Sequence, residues 1–169
     1  ASDVYKRQPV YNIFFNSIVN NGRNVLQCPL SYENGEYSID FDKLEEAMSQ
    51  PQTTMMIFCN PHNPVGKIWD RETLAHVGEL ARKHHVIVVS DEIHCDITDP
   101  DKEYISFASA SDTCREISIT CVAPTKAFNM AGLQTAAAIV PDPFLRHKVN
   151  RGLNTDEVAE PNAFAIWAA

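Results

Sequence analysis

Several sequence features that would assign this chain to a specialised class of protein are absent. No apolar run among the 169 residues approaches the length of a membrane-spanning helix, and the amino terminus lacks a basic segment followed by an apolar one. No stripe of basic residues interleaves with aromatic ones, and 22 acidic against 14 basic residues give a net charge of −8. We therefore expect a cytosolic protein that binds neither membranes nor nucleic acids.

Cysteine pairs with the C-x-x-C spacing of zinc and redox sites are also absent. The five cysteines are Cys28, Cys59, Cys95, Cys114 and Cys121. We expect reduced thiols, with Cys28, Cys59 and Cys121 packed as small hydrophobic groups because they lie in apolar runs. The adjacent His-Cys-Asp of residues 94–96 is no exception, since neighbours in sequence rarely converge on one ion, and we predict no metal site.

From Pro9 onward, the spacing of apolar residues alternates between that of helices and that of strands. Continuous apolar runs of strand length suit strands that are covered on both faces, as in a parallel sheet. The predicted helices are 11–20, 40–49, 70–84 and 143–154, and the predicted strands are 24–30, 54–59, 86–90, 117–122 and 135–140. Asp40 or Asp42 is expected to cap the second helix, and Asp70 the third. Strands separated by helical crossovers predict an α/β domain of three layers with a mostly parallel sheet.

The two ends of the chain do not fit a complete domain. Residues 1–8 (ASDVYKRQ) do not join smoothly onto the pattern that follows, so we interpret them as a leader or an artefact. Residues 9–169 are then expected to form one incomplete domain, because no predicted strand precedes Pro9 and the helical pattern runs to the last residue.

Polar segments follow three of the predicted strands. NPHNPVG occupies residues 60–66, DEIH residues 91–94 and PTK residues 124–126. Ligands of open α/β sheets bind beyond the carboxyl ends of the strands, so these segments are expected to share one cleft.

Three residues of these segments are candidates for chemistry, and each has an ordinary structural alternative. An isolated lysine is usually a solvated surface group, but small and apolar neighbours of Lys126 would desolvate its amine and favour a nucleophile. Asp91, at a buried strand end, is either a helix N-cap or the partner of a pyridinium nitrogen. Asn63, held extended by the proline that follows, is a turn residue or a donor to a ligand oxygen.

The segments NPHNPVG, SDEIHCD and APTKAFNMAGLQ, in this order and at these intervals, resemble the large domain of class I and II aminotransferases. More narrowly, they are similar to the MalY/PatB-type cystathionine β-lyases, or cysteine C–S lyases, of the PLP-dependent fold type I. The resemblance runs from about Pro9 to the end. It implies a pyridoxal 5′-phosphate (PLP) cofactor and a homodimer when the protein is full length.

The resemblance also implies a role for individual residues. Lys126 would be the Schiff-base lysine, Asp91 the partner of the pyridine nitrogen, and Asn63 a donor to the phenolic oxygen of the ring. Tyr11 falls where the family places an aromatic side chain stacked on PLP, with a core aromatic as the alternative.

Other positions separate the branches of the family. His94 stands where many aminotransferases carry a tyrosine that touches the phenolic oxygen, and the DEIH form is typical of the C–S lyase branch. Ala123 and Gln134 stand where many aminotransferases carry a serine and an arginine that bind phosphate. Phosphate binding would then depend on Thr125 and on groups outside the chain.

The activity that the resemblance implies is carbon–sulfur β-lysis of cystathionine or another cysteine thioether, which releases a thiol, pyruvate and ammonia. The alternatives are a PLP-dependent aminotransferase and a truncated, non-catalytic fragment. The glycine-containing phosphate loop would lie upstream of Pro9, and the carboxylate-binding arginine would lie downstream of Ala169.

Overall fold

The computed structural model describes the backbone of residues 3–168 and the side chains of residues 9–168. The strands are β1 (Asp3–Gln8), β2 (Asn24–Pro29), β3 (Ser31–Glu33), β4 (Glu36–Ser38), β5 (Thr53–Cys59), β6 (Ile87–Asp91), β7 (Ser118–Val122) and β8 (Ala137–Ile139). The helices are α1 (Ile13–Asn20), α2 (Phe41–Met48), α3 (Arg71–Lys83), α4 (Phe107–Ala110), α5 (Asp112–Glu116), α6 (Pro143–Thr155) and α7 (Ala165–Ala168), with a 3-10 turn at Ala131–Leu133.

One mostly parallel sheet organises the fold. Its six strands follow the order β2-β1-β5-β6-β7-β8, with β3 and β4 forming a separate hairpin. The first five strands are parallel, and β8 alone runs antiparallel to its neighbour β7. The predicted α/β class and mostly parallel sheet are therefore confirmed.

The helix starts follow from local hydrogen bonding. Asp40, Asp70 and Asp142 each accept a hydrogen bond from the backbone N–H three residues later, at 2.7–3.1 Å, at the starts of α2, α3 and α6. Each such cap satisfies an otherwise unpaired N–H and stabilises its helix by about 1 kcal/mol. The caps predicted at the first two of these helices are confirmed, with Asp40 rather than Asp42 as the cap of α2.

The core lies on one face of the sheet. Met56 and Phe58 of β5 are fully buried and pack with Leu74 and Val77 of α3. On the opposite face of β5, Met55 and Ile57 are only half-buried beside α1. The sheet is therefore closely covered on one face and partly covered on the other.

Residues 3–8, which the hydrophobic pattern left outside the domain, belong to the sheet. The backbone of residues 3–8 forms β1, which lies inside the sheet with β2 on one side and β5 on the other. A strand therefore does precede Pro9. The hydrophobic pattern missed it because the segment is short and charged, and its pairing on both sides is set by tertiary contacts.

The cysteine prediction holds with one adjustment. All five thiols are free, and Cys28 and Cys59 are buried as expected, whereas Cys121 is half-buried and Cys114 is buried instead. Among the described residues, no group of three or more histidine, cysteine or carboxylate side chains is placed to hold a metal ion. No helix within residues 3–168 is long and apolar enough to cross a membrane.

Close packing between α3 and α5 gives a test of the core. A Cβ added to Gly78 would clash with the sulfur of buried Cys114, so we expect Gly78→Ala to destabilise the full-length protein by roughly 1–3 kcal/mol. Gly152→Ala is the matched control, because a Cβ there meets nothing within 4 Å. It should stabilise α6 by roughly 0.5–1 kcal/mol. Urea unfolding measures both changes, and equal effects of the two substitutions would contradict the packing described.

Candidate active site

The carboxyl ends of β5, β6 and β7 border a cleft of about 440 Å³. Every residue that the sequence analysis proposed for a site lines it. They are Tyr11, Asn63, Asp91, His94, Thr125 and Lys126. The prediction that the polar segments meet at one edge of the sheet is thus confirmed, because parallel strands direct their carboxyl ends to the same side.

Asp91 is the last residue of β6 and lies in register with Cys59 of β5 and Cys121 of β7. Its Oδ1 accepts a hydrogen bond from the backbone N–H of Ile93 at 3.2 Å. A turn rather than a helix follows it, so the helix N-cap alternative is wrong. Within residues 9–168, no lysine or arginine side chain forms an ion pair with this carboxylate.

The surroundings of Asp91 are poorly solvated. Burial raises the pKa of Asp91 above its ordinary value, and its hydrogen bond from Ile93 opposes that rise. Burial, with a further contribution from Asp91, also raises the pKa of Cys59 to about 12 and that of Cys121 to about 11. Both thiols therefore stay protonated at neutral pH, and a cation placed next to Asp91 would be bound strongly.

A consequence for stability follows from the raised pKa. Folding favours the protonated carboxyl, so the free-energy cost of burying the ionised Asp91 side chain is absent below its unfolded-state pKa. This cost grows as the pH rises from the unfolded-state pKa to the folded-state pKa, and it is fully present above the folded-state pKa. We expect Asp91→Asn to stabilise the cofactor-free protein at neutral pH, with the gain vanishing under acid conditions. Thermal unfolding at several pH values measures this, and a gain that grew towards low pH would contradict it.

Asn63 and His94 meet at the rim of the cleft. Asn63 Nδ2 lies 3.5 Å from His94 Nε2, and the Asn63–Pro64 peptide bond is cis. The same two side chains also border a neighbouring cleft of about 350 Å³. When the histidine nitrogen accepts from the amide, the second amide hydrogen remains for a ligand oxygen.

Lys126 and Thr125 lie in the turn that follows β7, closed by hydrogen bonds from the N–H of Phe128 to Pro124 O and from that of Met130 to Thr125 O, both 3.0 Å. The side chain of Lys126 is exposed to the cleft. Its neighbours in the described part of the chain therefore do not desolvate the amine, contrary to expectation. Small neighbours leave the amine accessible instead of burying it.

Tyr11 lies just before α1 on another side of the cleft. Its side chain is 43% exposed and meets Phe14 edge-on, with 5.8 Å between ring centroids. The alternative that Tyr11 is a core aromatic is therefore wrong, and its ring is accessible to a flat ligand.

Sequence reasoning gave no role to Glu92, which lies between Asp91 and His94 yet is almost fully buried. The available signal was a second carboxylate at the end of an apolar strand, where a buried charge requires partners. Gln134, also on the cleft wall, adopts a left-handed backbone conformation with φ of 48° that composition did not reveal.

A model of the family described as aminotransferase class I and II matches residues 1–165. The chain belongs to the class I and II aminotransferase family. The match includes the residues 1–8 that the sequence analysis had set aside.

Relatives within the family are similar over almost the whole chain. Cystathionine β-lyase PatB of Bacillus subtilis is 46% identical over 168 residues, which are 99% of this chain and 43% of PatB. Cystalysin of Treponema denticola, whose crystal structure contains PLP, has a TM-score of 0.84 at 35% identity, covering 87% of this chain and 37% of cystalysin. The chain therefore spans less than half the length of the relatives it matches.

A third relative has a different assigned activity. A PLP-bound protein of Clostridium difficile 630, provisionally assigned as an aminotransferase, has a TM-score of 0.91 at 35% identity. The match covers 96% of this chain and 42% of that protein. The fold is thus shared by relatives named for both activities.

Proposed function

We propose that this chain is the cofactor-binding part of a PLP-dependent carbon–sulfur β-lyase that acts on cystathionine or other cysteine thioethers. The products are a thiol, pyruvate and ammonia. One observation carries the proposal: Lys126, Asp91 and Asn63 line a single cleft, in a chain that is 46% identical to a cystathionine β-lyase.

The described residues fit PLP on chemical grounds. Asp91 is a poorly solvated carboxylate with a raised pKa and no lysine or arginine partner in the described part of the chain. A protonated ring nitrogen would form the missing ion pair with it. An accessible amine, an amide and a hydroxyl stand around the same cleft at Lys126, Asn63 and Thr125. A cleft of about 440 Å³ lies within the usual size range of small-molecule sites.

Each residue then has a distinct task. When bound, PLP supplies an electron sink for the bonds at the α-carbon of the substrate. Asp91 would keep the ring nitrogen protonated, and the amide of Asn63 would donate a hydrogen bond to the phenolic oxygen. The amine of Lys126 would hold the cofactor and would serve as the base for the α-proton of the substrate. Tyr11 would pack against the ring, and Thr125 would donate a hydrogen bond to the phosphate.

Two features of the cleft wall favour a lyase over a transaminase. Ala123 and Gln134, both on the wall, provide neither the serine nor the arginine of many aminotransferases. His94 stands at a position where many aminotransferases carry a tyrosine, and its Nε2 lies 3.5 Å from Asn63 Nδ2. Less phosphate binding by this chain leaves more of it to groups elsewhere in the full-length protein.

The proposal extends to assembly and location. We propose that the full-length protein is a cytoplasmic homodimer whose active sites are completed by the partner subunit, and that this chain, β1 included, is part of its large domain.

Substrate turnover tests the proposal. The full-length protein, loaded with PLP, is incubated with cystathionine in the presence and absence of a 2-oxo acid, and pyruvate and free thiol are measured. We expect both products to form at the same rate without the oxo acid. Turnover that requires the oxo acid would identify an aminotransferase and disprove the lyase.

A further inference from the structure

Glu92 is a buried carboxylate next to Asp91 that the proposed function leaves without a task. Its side chain is 1% exposed. It accepts hydrogen bonds from the Ser90 hydroxyl at 2.7 Å, from the backbone N–H of Phe107 at 2.9 Å and from the Tyr104 hydroxyl. All three donors are neutral, and within residues 9–168 no lysine or arginine side chain forms an ion pair with Glu92.

These donors connect distant parts of the chain. The segment 93–106 connects β6 to α4. Ser90 lies in β6, whereas Tyr104 lies near the far end of this segment and Phe107 is the first residue of α4. One carboxylate therefore ties both ends of that segment together. A second tie is the Asn60 side-chain amide, which donates to the carbonyl oxygen of Ile105 at 2.7 Å.

The tied segment carries groups that orient the cleft. Its first residue, Ile93, donates its N–H to Asp91 Oδ1 at 3.2 Å. The next residue, His94, lies 3.5 Å from the amide of Asn63. The direction in which Asp91 and Asn63 present their polar atoms therefore depends on where this segment lies.

We propose that Glu92 is a positioning residue, whose carboxylate fixes the segment 93–106 so that Asp91 and Asn63 keep the orientation in which they hold PLP. The inference rests on the proposed function. A carboxylate suits this task because it has only acceptors, whereas a glutamine would turn donor hydrogens towards Ser90, Tyr104 or Phe107.

The state of Tyr104 agrees with this arrangement. Burial, together with the hydrogen bond to Glu92, raises the pKa of the Tyr104 phenol. The hydroxyl therefore keeps its proton and acts as the donor over the whole working range of pH.

The test compares variants of the full-length protein in PLP titrations followed by visible circular dichroism, which reports how the bound ring is oriented. We expect Glu92→Gln to raise the Kd for PLP about tenfold, as for a buried group deprived of its partners. We also expect it to reduce the visible signal per bound cofactor. Tyr104→Phe, which keeps the carboxylate and removes one donor, should cause smaller changes in the same direction.

The matched control is Glu116→Gln, on α5, where the carboxylate is 61% exposed and pairs with Arg82. It should leave both quantities at the parental values. Parental values in Glu92→Gln would overturn the inference, as would a higher Kd with an unchanged signal per bound cofactor, because that pattern marks a loss of stability alone.

Should Glu92→Gln fail to fold, Tyr104→Phe decides by the same criteria, and parental values in it would overturn the inference. A parent protein that gives no visible signal with PLP overturns the proposed function and this inference together. A parent that binds PLP beside unaltered variants overturns this inference alone.

Discussion

Replacing Lys126 with alanine in the full-length protein is expected to lower the rate of carbon–sulfur cleavage by about 10³-fold or more. The substitution removes both the amine that holds PLP covalently and the base that accepts the α-proton. No other lysine of the described residues lines the cleft, so no neighbour can take over either task. Small primary amines added to the solution should restore part of the rate, since the space of the side chain is left open to them.

Borohydride reduction followed by peptide mass spectrometry gives a readout that does not depend on turnover. We expect the reduced cofactor on the peptide that contains Lys126 in the parent, and on no peptide in the variant. Lys148→Ala is the control, because that lysine is exposed on α6, and it should leave both labelling and rate unchanged. A label on another lysine in the parent would disprove the assignment of Lys126.

Replacing Asp91 with asparagine is expected to lower the rate of carbon–sulfur cleavage, by less than the loss of Lys126 does. Removing one partner of a buried charge pair costs about 3–5 kcal/mol, which corresponds to a rate loss of roughly 10²–10⁴-fold. An asparagine can still accept the hydrogen bond from Ile93, so the turn after β6 should survive. The loss is therefore expected in kcat rather than in the fold.

Without cofactor, the same variant should be more stable than the parent protein. A loss of activity together with a gain in stability would separate a role in cofactor binding from a structural role. Activity, PLP affinity and unfolding are measured on one preparation, with Asp96→Asn as the control on an exposed carboxylate of the same turn. Loss of activity with loss of stability would mean that Asp91 is structural. Full activity in the variant would mean that another group protonates the ring.

Much of the fold was predictable because its elements obey local rules. The apolar runs of β5, β6 and β7 and the Asp70 cap of α3 were found within one or two residues of their observed positions. The elements that were not predicted either depend on contacts between distant parts of the chain or are too short to show a periodic pattern. β1 depends on partners on both sides, and α4 and α5 are too short to show a helical period.

The hairpin of β3 and β4 was missed although its turn contains Asn34 and Gly35, both with positive φ. An Asn-Gly pair between short strands is a strong hairpin signal, so this omission was avoidable.

The site was predicted better than the state of its residues. The meeting of Asn63, Asp91 and Lys126 followed from strand topology, which the apolar pattern already indicated. The exposure of Lys126 and the burial of Glu92 depend on how turns pack after the strands end. A few individual hydrogen bonds fix those turns, and the spacing of apolar residues along the chain does not predict them.

The pairing of Asp91 with Cys59 and Cys121 limits which changes in chain length the protein can accept. Side chains alternate along a strand, so a deletion between α3 and Asp91 that shifted β6 by one residue would turn the carboxylate away from the cleft. The exposed stretch 99–103 bears no such constraint and can lengthen or shorten at little cost. Natural variation in length should therefore collect in the exposed stretch 99–103 and be excluded between α3 and Asp91.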